Sequence, residues 1–361
     1  MSSYRKHDFD DHPVNGLSLI ELMVSMTIGL VLVLGATTLY LNSRKTADVD
    51  DSVARLQETA RYAMNVLESD VRMANYWGLN GDANLATNKP TSSTASTDPD
   101  GVALSGTAHG NDCGTNYAVD IRKYIEATND TFPTTFTGHC SAFNSAVASS
   151  DILTIRRANT QKETSIDSSK LQLCTRRNTM TIMLGGSCDV VDDNTEIHDL
   201  STNTYYIDKA SDESPNYPSL RRISLISGPD FRDDEVVPGV EDMQIELGWG
   251  PGSSTINDGS SVPANAQAAS YLQPENAAIT AGTGQIVAVR IWLLVRAESP
   301  DKNYVDNNTY EYGNRNKGTT GTNLTGDLNV ATSAGKAYKP NDNYRRMLVS
   351  RTFFIRNALG T

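Results

Sequence analysis

Residues 16–41 read GLSLIELMVSMTIGLVLVLGATTLYL, and residues 42–78 continue NSRKTADVDDSVARLQETARYAMNVLESDVRMANYWG. The first piece carries one charge, Glu21, in a run of apolar and small side chains. About 25 residues at ~1.5 Å each outreach the ~30 Å hydrocarbon core of a bilayer, so this piece can span one. In the second piece Val49, Val53, Leu56, Ala60, Ala63, Leu67, Val71 and Ala74 recur at steps of three and four, a single stripe along a helix. Neither Gly nor Pro interrupts from Ala36 to Gly78. The pattern predicts one long helix: apolar all round in its first half, with one face for a core in its second.

Nothing downstream approaches a second span, so the bulk of the chain lies on one side of the membrane. With 361 residues, 38% of them apolar, and a mean hydropathy of −0.40, that bulk is soluble. A net charge of −12 and no basic stripe argue against a nucleic-acid partner, since phosphates require clustered Lys and Arg. A cleaved secretory signal fits poorly. The one small-residue candidate, Leu34-Gly35-Ala36, has Leu at its outer position, and the helical pattern runs on past it.

Glu21 is what a plain anchor does not explain. A carboxylate in a membrane segment costs ~2.5–3.5 kcal/mol or more and normally has a partner or a purpose. If the chain is cut between Gly16 and Leu17, Glu21 becomes the fifth residue and a new amine appears on Leu17. A cationic amine on a neighbouring subunit could then neutralise it, and buried opposite charges in contact impose register.

Gly16-Leu-Ser-Leu-Ile-Glu21 followed by the apolar run resembles the class III signal of type IV prepilins and type II secretion pseudopilins. In those families a membrane peptidase cuts after the Gly and methylates the new amine. The resemblance narrows to the PilW family of minor pilins. It is carried by Asn42-Ser-Arg44, Ala54-Arg-Leu-Gln-Glu-Thr-Ala-Arg-Tyr-Ala63 and Asp70-Val-Arg-Met-Ala-Asn-Tyr-Trp-Gly78, then Val289–Arg296 and Tyr344–Val349. Some features depart from the usual pattern. Asp8, Asp10 and Asp11 outnumber Arg5 and Lys6 in the leader, and Arg44 and Lys45 flank the other end of the span, so charge bias does not set orientation. The new N-terminus is Leu rather than Phe. No proline interrupts the membrane helix, which leaves Gly29 and Gly35 as its soft points.

Beyond Gly78, strand patterns fall at 152–156, 180–184, 205–208, 222–226, 243–247, 286–295 and 347–355. Several alternate apolar and polar residues, as in an antiparallel sheet with one buried face, which the helix stripe would cover. The fold class is thus α+β and pilin-like. Its parts are a leader (1–16), a membrane or filament-core helix (17–41), an amphipathic helix (42–78) and an exported β-rich domain (79–361). Residues 84–101 read as an exposed loop. Residues 250–284 and 299–343 are too long and polar for ordinary connections, and Tyr304, Tyr310 and Tyr312 in the latter could form a contact surface. No 20–50-residue repeat is present.

Four cysteines in an exported chain suggest two disulfides, with sequence-local pairing, Cys113–Cys140 and Cys174–Cys188, favoured by modest closure entropy. Histidines 7, 12, 109, 139 and 198 have no acid or nucleophile at a recognised spacing, so no catalytic residues are assigned. His139 beside Cys140 is a weak metal signal. The acidic runs 189–196 and 230–235 could hold calcium but match no known loop, and no phosphate loop follows Gly282-Thr-Gly284. No metal or cofactor is expected.

The resemblance implies a minor pilin that helps initiate or cap type IV pili, supporting motility and adhesion. Its implied partners are the prepilin peptidase, other minor and major pilins, a tip adhesin, the inner-membrane assembly platform and the lipid bilayer. It implies a single-pass inner-membrane protein with its C-terminal domain in the periplasm, later moved to the pilus, at the tip. A J-like minor pseudopilin of type II secretion shares the same signal. A surface enzyme or binding domain on an uncleaved anchor is a different class, which predicts an intact N-terminus and a convergent polar pocket.

Overall fold

The computed structural model describes residues 16, 18–83, 86–87, 110–188, 194–255, 261–263, 268–280, 284–315, 324–325 and 337–358. A single helix, α1 (Leu19–Met73), opens the described chain and runs through Gly29 and Gly35 without a break. It stops five residues short of the predicted end. Asn75 enters the left-handed region (φ 61°), as Asn tolerates better than most residues, and so does Gly78 (φ 78°). The chain divides into two compact units, 1–53 and 54–361, with the boundary inside α1.

The second unit holds the strands β1 (Ile125–Thr128), β2 (Ile152–Glu163), β3 (Leu171–Thr175), β4 (Met180–Leu184), β5 (Glu196–Asp208), β6 (Ser219–Ile226), β7 (Asp230–Pro238), β8 (Val240–Thr255), β9 (Gly284–Arg296) and β10 (Arg346–Phe354). Instead of one sheet there are two. The first, eight-stranded among the described residues, runs from Ala86–Thr87 through β4, β3, β5 and β2 to β1; β6 shares the edge of β5 with β3, and β7 pairs with β6. The second, five-stranded, is built on β8, β9 and β10, with Ser261–Pro263 and Ser270–Leu272 against β8. The chain passes from one sheet to the other at Gly239. Its φ of 92° and the crowding by Tyr217 and the Arg296 carbonyl leave room for no side chain.

The first sheet buries both faces, not the expected one. Leu153, Ile155, Tyr205 and Ile207 join α1 and the second sheet in one core. The alternate residues Ile152 and Tyr206 join Val119, Ile121 and Phe136 from the segment before β2 in another. The disulfide Cys113–Cys140 lies within that covering segment, and Cys174 of β3 is bonded to Cys188. Loops of this size correspond to about 3 kcal/mol each in chain-entropy terms.

Other sequence expectations are revised. Residues 230–235 are neither a calcium loop nor a solvated turn but the start of β7, a strand whose carboxylates meet cations: Asp233 with Arg221, and Asp234 with Arg232. Of the other acidic run, 189–193 lie outside the described residues, while Glu196 opens β5 and pairs with Lys162. Ala86–Thr87, inside the expected 84–101 loop, pairs in parallel with Met180 and Thr181. Strands β1, β3 and β7 are not among the strand patterns read from the sequence: β1 and β3 are short, and β7 opens on an acidic run.

Candidate functional site: the amino-terminal helix and its anchorage

The start of the processing motif is exposed: Gly16 and Ser18 are open, and Leu17 lies outside the described residues. Glu21 is also exposed, and its carboxylate accepts the Ser18 N–H at 3.3 Å, an acid in the first helical turn. From Leu19 to Leu41 the large apolar side chains face outward on every side, with Leu19 at 81% and Leu32 at 67% exposure. The serine and threonine hydroxyls in this run are satisfied within the helix. Ser25, Thr27, Thr37 and Thr38 donate to the carbonyls of Leu22, Val24, Val33 and Gly35 at 2.7–3.1 Å. That removes the cost of carrying them into lipid or among other apolar helices.

The second half of α1 is held by packing and by polar contacts. Leu56, Ala60, Ala63, Leu67 and Val71 of the stripe are buried, with Met64 beside them, while Val49 and Val53 are only partly so. Burial at ~1.5–3 kcal/mol for each large apolar side chain makes this the main attachment. Asp70 is buried on the same face. Its Oδ1 accepts from Arg157 of β2 (Nε 3.0 Å, Nη2 2.8 Å), and its Oδ2 accepts from Asn203 Nδ2 (2.6 Å) and the Tyr205 hydroxyl (2.7 Å) of β5. Burial, then the charge of Asp70, pushes the Tyr205 hydroxyl well above the usual tyrosine range, so it stays a donor. At the rim, Glu68 pairs with Arg351 of β10 at 2.9 Å.

The Ala74–Gly78 motif has a structural meaning. Asn75 donates to the Asn357 carbonyl (2.7 Å) and accepts the Trp77 indole N–H (2.7 Å), tying the helix end to the chain's C-terminal segment. Trp77 is fully buried, and Gly78 packs where a Cβ would meet Thr175 and His198. The Arg356 N–H adds a bond to the Arg72 carbonyl at 3.1 Å.

Of the tyrosines that could form a contact surface, Tyr312 is buried and Tyr304 and Tyr310 are half-buried. Tyr312 is buried and donates to Asp242 at 2.5 Å, beside a fully buried Arg315 whose Nε donates to the same oxygen. Tyr310 donates to Asp306, and Tyr304 lies under the Arg345 guanidinium. A buried carboxylate needs several donors, and these residues supply them. His139 contacts Asp230 at 2.7 Å, and its neighbour Cys140 is in a disulfide rather than at a metal. Among the described residues no group of three His, Cys, Asp or Glu side chains is placed to hold a metal ion. The sequence reading missed Asp70 and its partners as a unit; the available signal was an acid interrupting an apolar stripe.

Residues 204–357 match the family described as Type IV Pilus-assembly protein W, and residues 12–37 match the prokaryotic N-terminal methylation motif. No curated protein sequence matches the chain. Among solved structures, a type IV-like pilin from Thermus thermophilus aligns at 13% identity and a TM-score of 0.26, over 58% of this chain and 80% of its own. The methylation motif takes in Gly16, Glu21 and most of the exposed apolar run, and the W domain takes in the whole of β6 to β10. The chain is thus similar to type IV pilins in two regions, to the N-terminal methylation motif over residues 12–37 and to the PilW family over residues 204–357.

Proposed function

We propose that the chain is a minor pilin precursor, cut between Gly16 and Leu17 and methylated on Leu17, that helps initiate or cap type IV pili. The observation that carries this is an apolar helix exposed on every side with one carboxylate, Glu21, five positions after Gly16. Such a helix leaves lipid for a bundle of like helices at little hydrophobic cost, because lipid chains and apolar side chains are similar surroundings. Glu21 then supplies register by pairing with a neighbour's new amine. In this reading the leader is 1–16, residues 17–41 are the membrane and filament segment, and 79–361 form the exported domain. The domain faces the periplasm before assembly and the pilus tip afterwards. The partners are the prepilin peptidase, major and other minor pilins, a tip adhesin and the inner-membrane platform, and the pilus serves motility and adhesion. The role is structural rather than enzymatic.

Mass spectrometry of the mature N-terminus tests the reading. A methylated Leu17 is expected; an intact Met1 would overturn it.

A further inference from the structure

The face that α1 turns to the sheets has a heptad rhythm. Val49, Val53, Leu56, Ala60, Ala63, Leu67, Asp70 and Ala74 follow at alternating steps of four and three. Of the six from Leu56 to Ala74, all buried, five are apolar and one is an acid. Sliding the helix by seven residues, about 10 Å along its axis, would bring Val49, Val53, Leu56, Ala60, Ala63 and Leu67 to those six places. Every one is apolar. Of the two other buried places, that of Val71 would go to Met64 and that of Met64 to Gln57. Seven of the eight buried places are thus apolar in either register, and the hydrophobic pattern alone separates the two weakly.

We infer that Asp70 is the positioning residue that fixes the register of α1 against the sheets. In the slid register Ala63 would face Arg157, Asn203 and Tyr205, leaving their donors without the carboxylate they now share. A single polar residue at a seam position that finds its partners in one register only is how coiled coils specify alignment. Trp77, the Asn75 bond to Asn357 and the Arg356 N–H on the Arg72 carbonyl hold the end of the helix, while Asp70 is the one buried charge on its face among the described residues. The consequence rests on the assembly reading above. Asp70 sets the residue at which α1 leaves the domain, and so how many residues separate that point from Glu21.

The test uses the full mature chain in detergent, with both native disulfides intact. Reporter cysteines replace Glu68 and Arg351, which meet in the native register, or Arg61 and Arg351, which would meet after a seven-residue slide. A short bis-maleimide then links each pair. In the native background the 68–351 pair is expected to link and the 61–351 pair to stay apart. In Asp70→Leu with Arg157→Leu, which removes both charges together and so avoids an unpaired buried one, the domain is expected to stay folded. Its ratio of 68–351 to 61–351 linkage should fall about fivefold or more, the effect of roughly 1 kcal/mol on a two-state balance. Asp70→Asn, which keeps the shape and one acceptor, is expected to shift linkage less. A folded double variant with unchanged linkage overturns the inference. If the double variant does not fold, Asp70→Asn with no shift in either yield overturns it instead. A shifted register with normal piliation would uphold the role of Asp70 and overturn the assembly reading.

Discussion

Leu32 and Leu67 occupy the same helix, yet the first is 67% exposed and the second wholly buried. The two halves of α1 share good helix formers and an absence of proline, so local propensity does not separate them. What differs is the distribution of polar residues. Around Leu32 the polar groups are hydroxyls that close on their own helix, leaving an outer surface that suits lipid or other helices. Around Leu67 the charged residues keep to one side and a stripe is left for the sheets, with Asp70 as the exception that β2 and β5 accommodate. The first half has its apolar side chains exposed, and the second buries its stripe in the domain's core.

The strongest way to break this division is Glu21→Ala. Membrane insertion and domain stability are expected to survive while pili are lost; normal piliation by electron microscopy would sink the register role of Glu21. Next is Leu67→Ala, which removes a fully buried side chain and should cost ~2–5 kcal/mol. Denaturant unfolding of the full chain in detergent reads this, and an unchanged midpoint would mean the stripe is not the main attachment. Leu32→Ala is the matched control, with unfolding of the domain expected to move by no more than ~0.5 kcal/mol.

The smallest effect concerns Glu68. Hydrogen bonding to Arg72, then to Arg351, holds its carboxyl below the usual glutamate value of 4.5 even against some burial. A depressed folded value means that its contribution is fully present above about pH 4.5 and fades as pH falls through the folded value. Glu68→Gln should therefore leave stability at pH 2 nearly unchanged, lower it slightly at pH 7, and make the acid limb shallower. A limb that steepens instead would mean that Glu68 is not held by these cations in solution.

Much of the candidate site was legible because it depends on one-dimensional pattern. The exposed run, Glu21 five positions after Gly16, and the stripe from Leu56 to Ala74 follow from spacing alone. The cysteine pairs were legible for a related reason: partners close in sequence close short loops. The second sheet face was not legible, since the residues covering it, Val119, Ile121 and Phe136, carry no periodicity of their own. Strand β7 was hidden because Asp233, in an acidic run, is neutralised by Arg221 on the neighbouring strand β6. The place of Tyr312 was hidden for the same reason. Tyr312 reads as surface in a loop rich in Asn and Asp, and only the distant Asp242 turns it inward.

By itself the sequence determined that this protein has one long helix, which part of it can enter a membrane, and which face of the rest must be covered. Those are consequences of helical period and side-chain polarity, and no distant contact is needed to establish them. The tertiary structure decided that two sheets share the chain with a pivot at Gly239, and that Arg315 and Tyr312 converge on one buried carboxylate. It also decided that Asp70 meets Arg157, Asn203 and Tyr205, more than eighty residues away. A buried charge is tolerable only where several donors meet it, and folding alone brings those donors together.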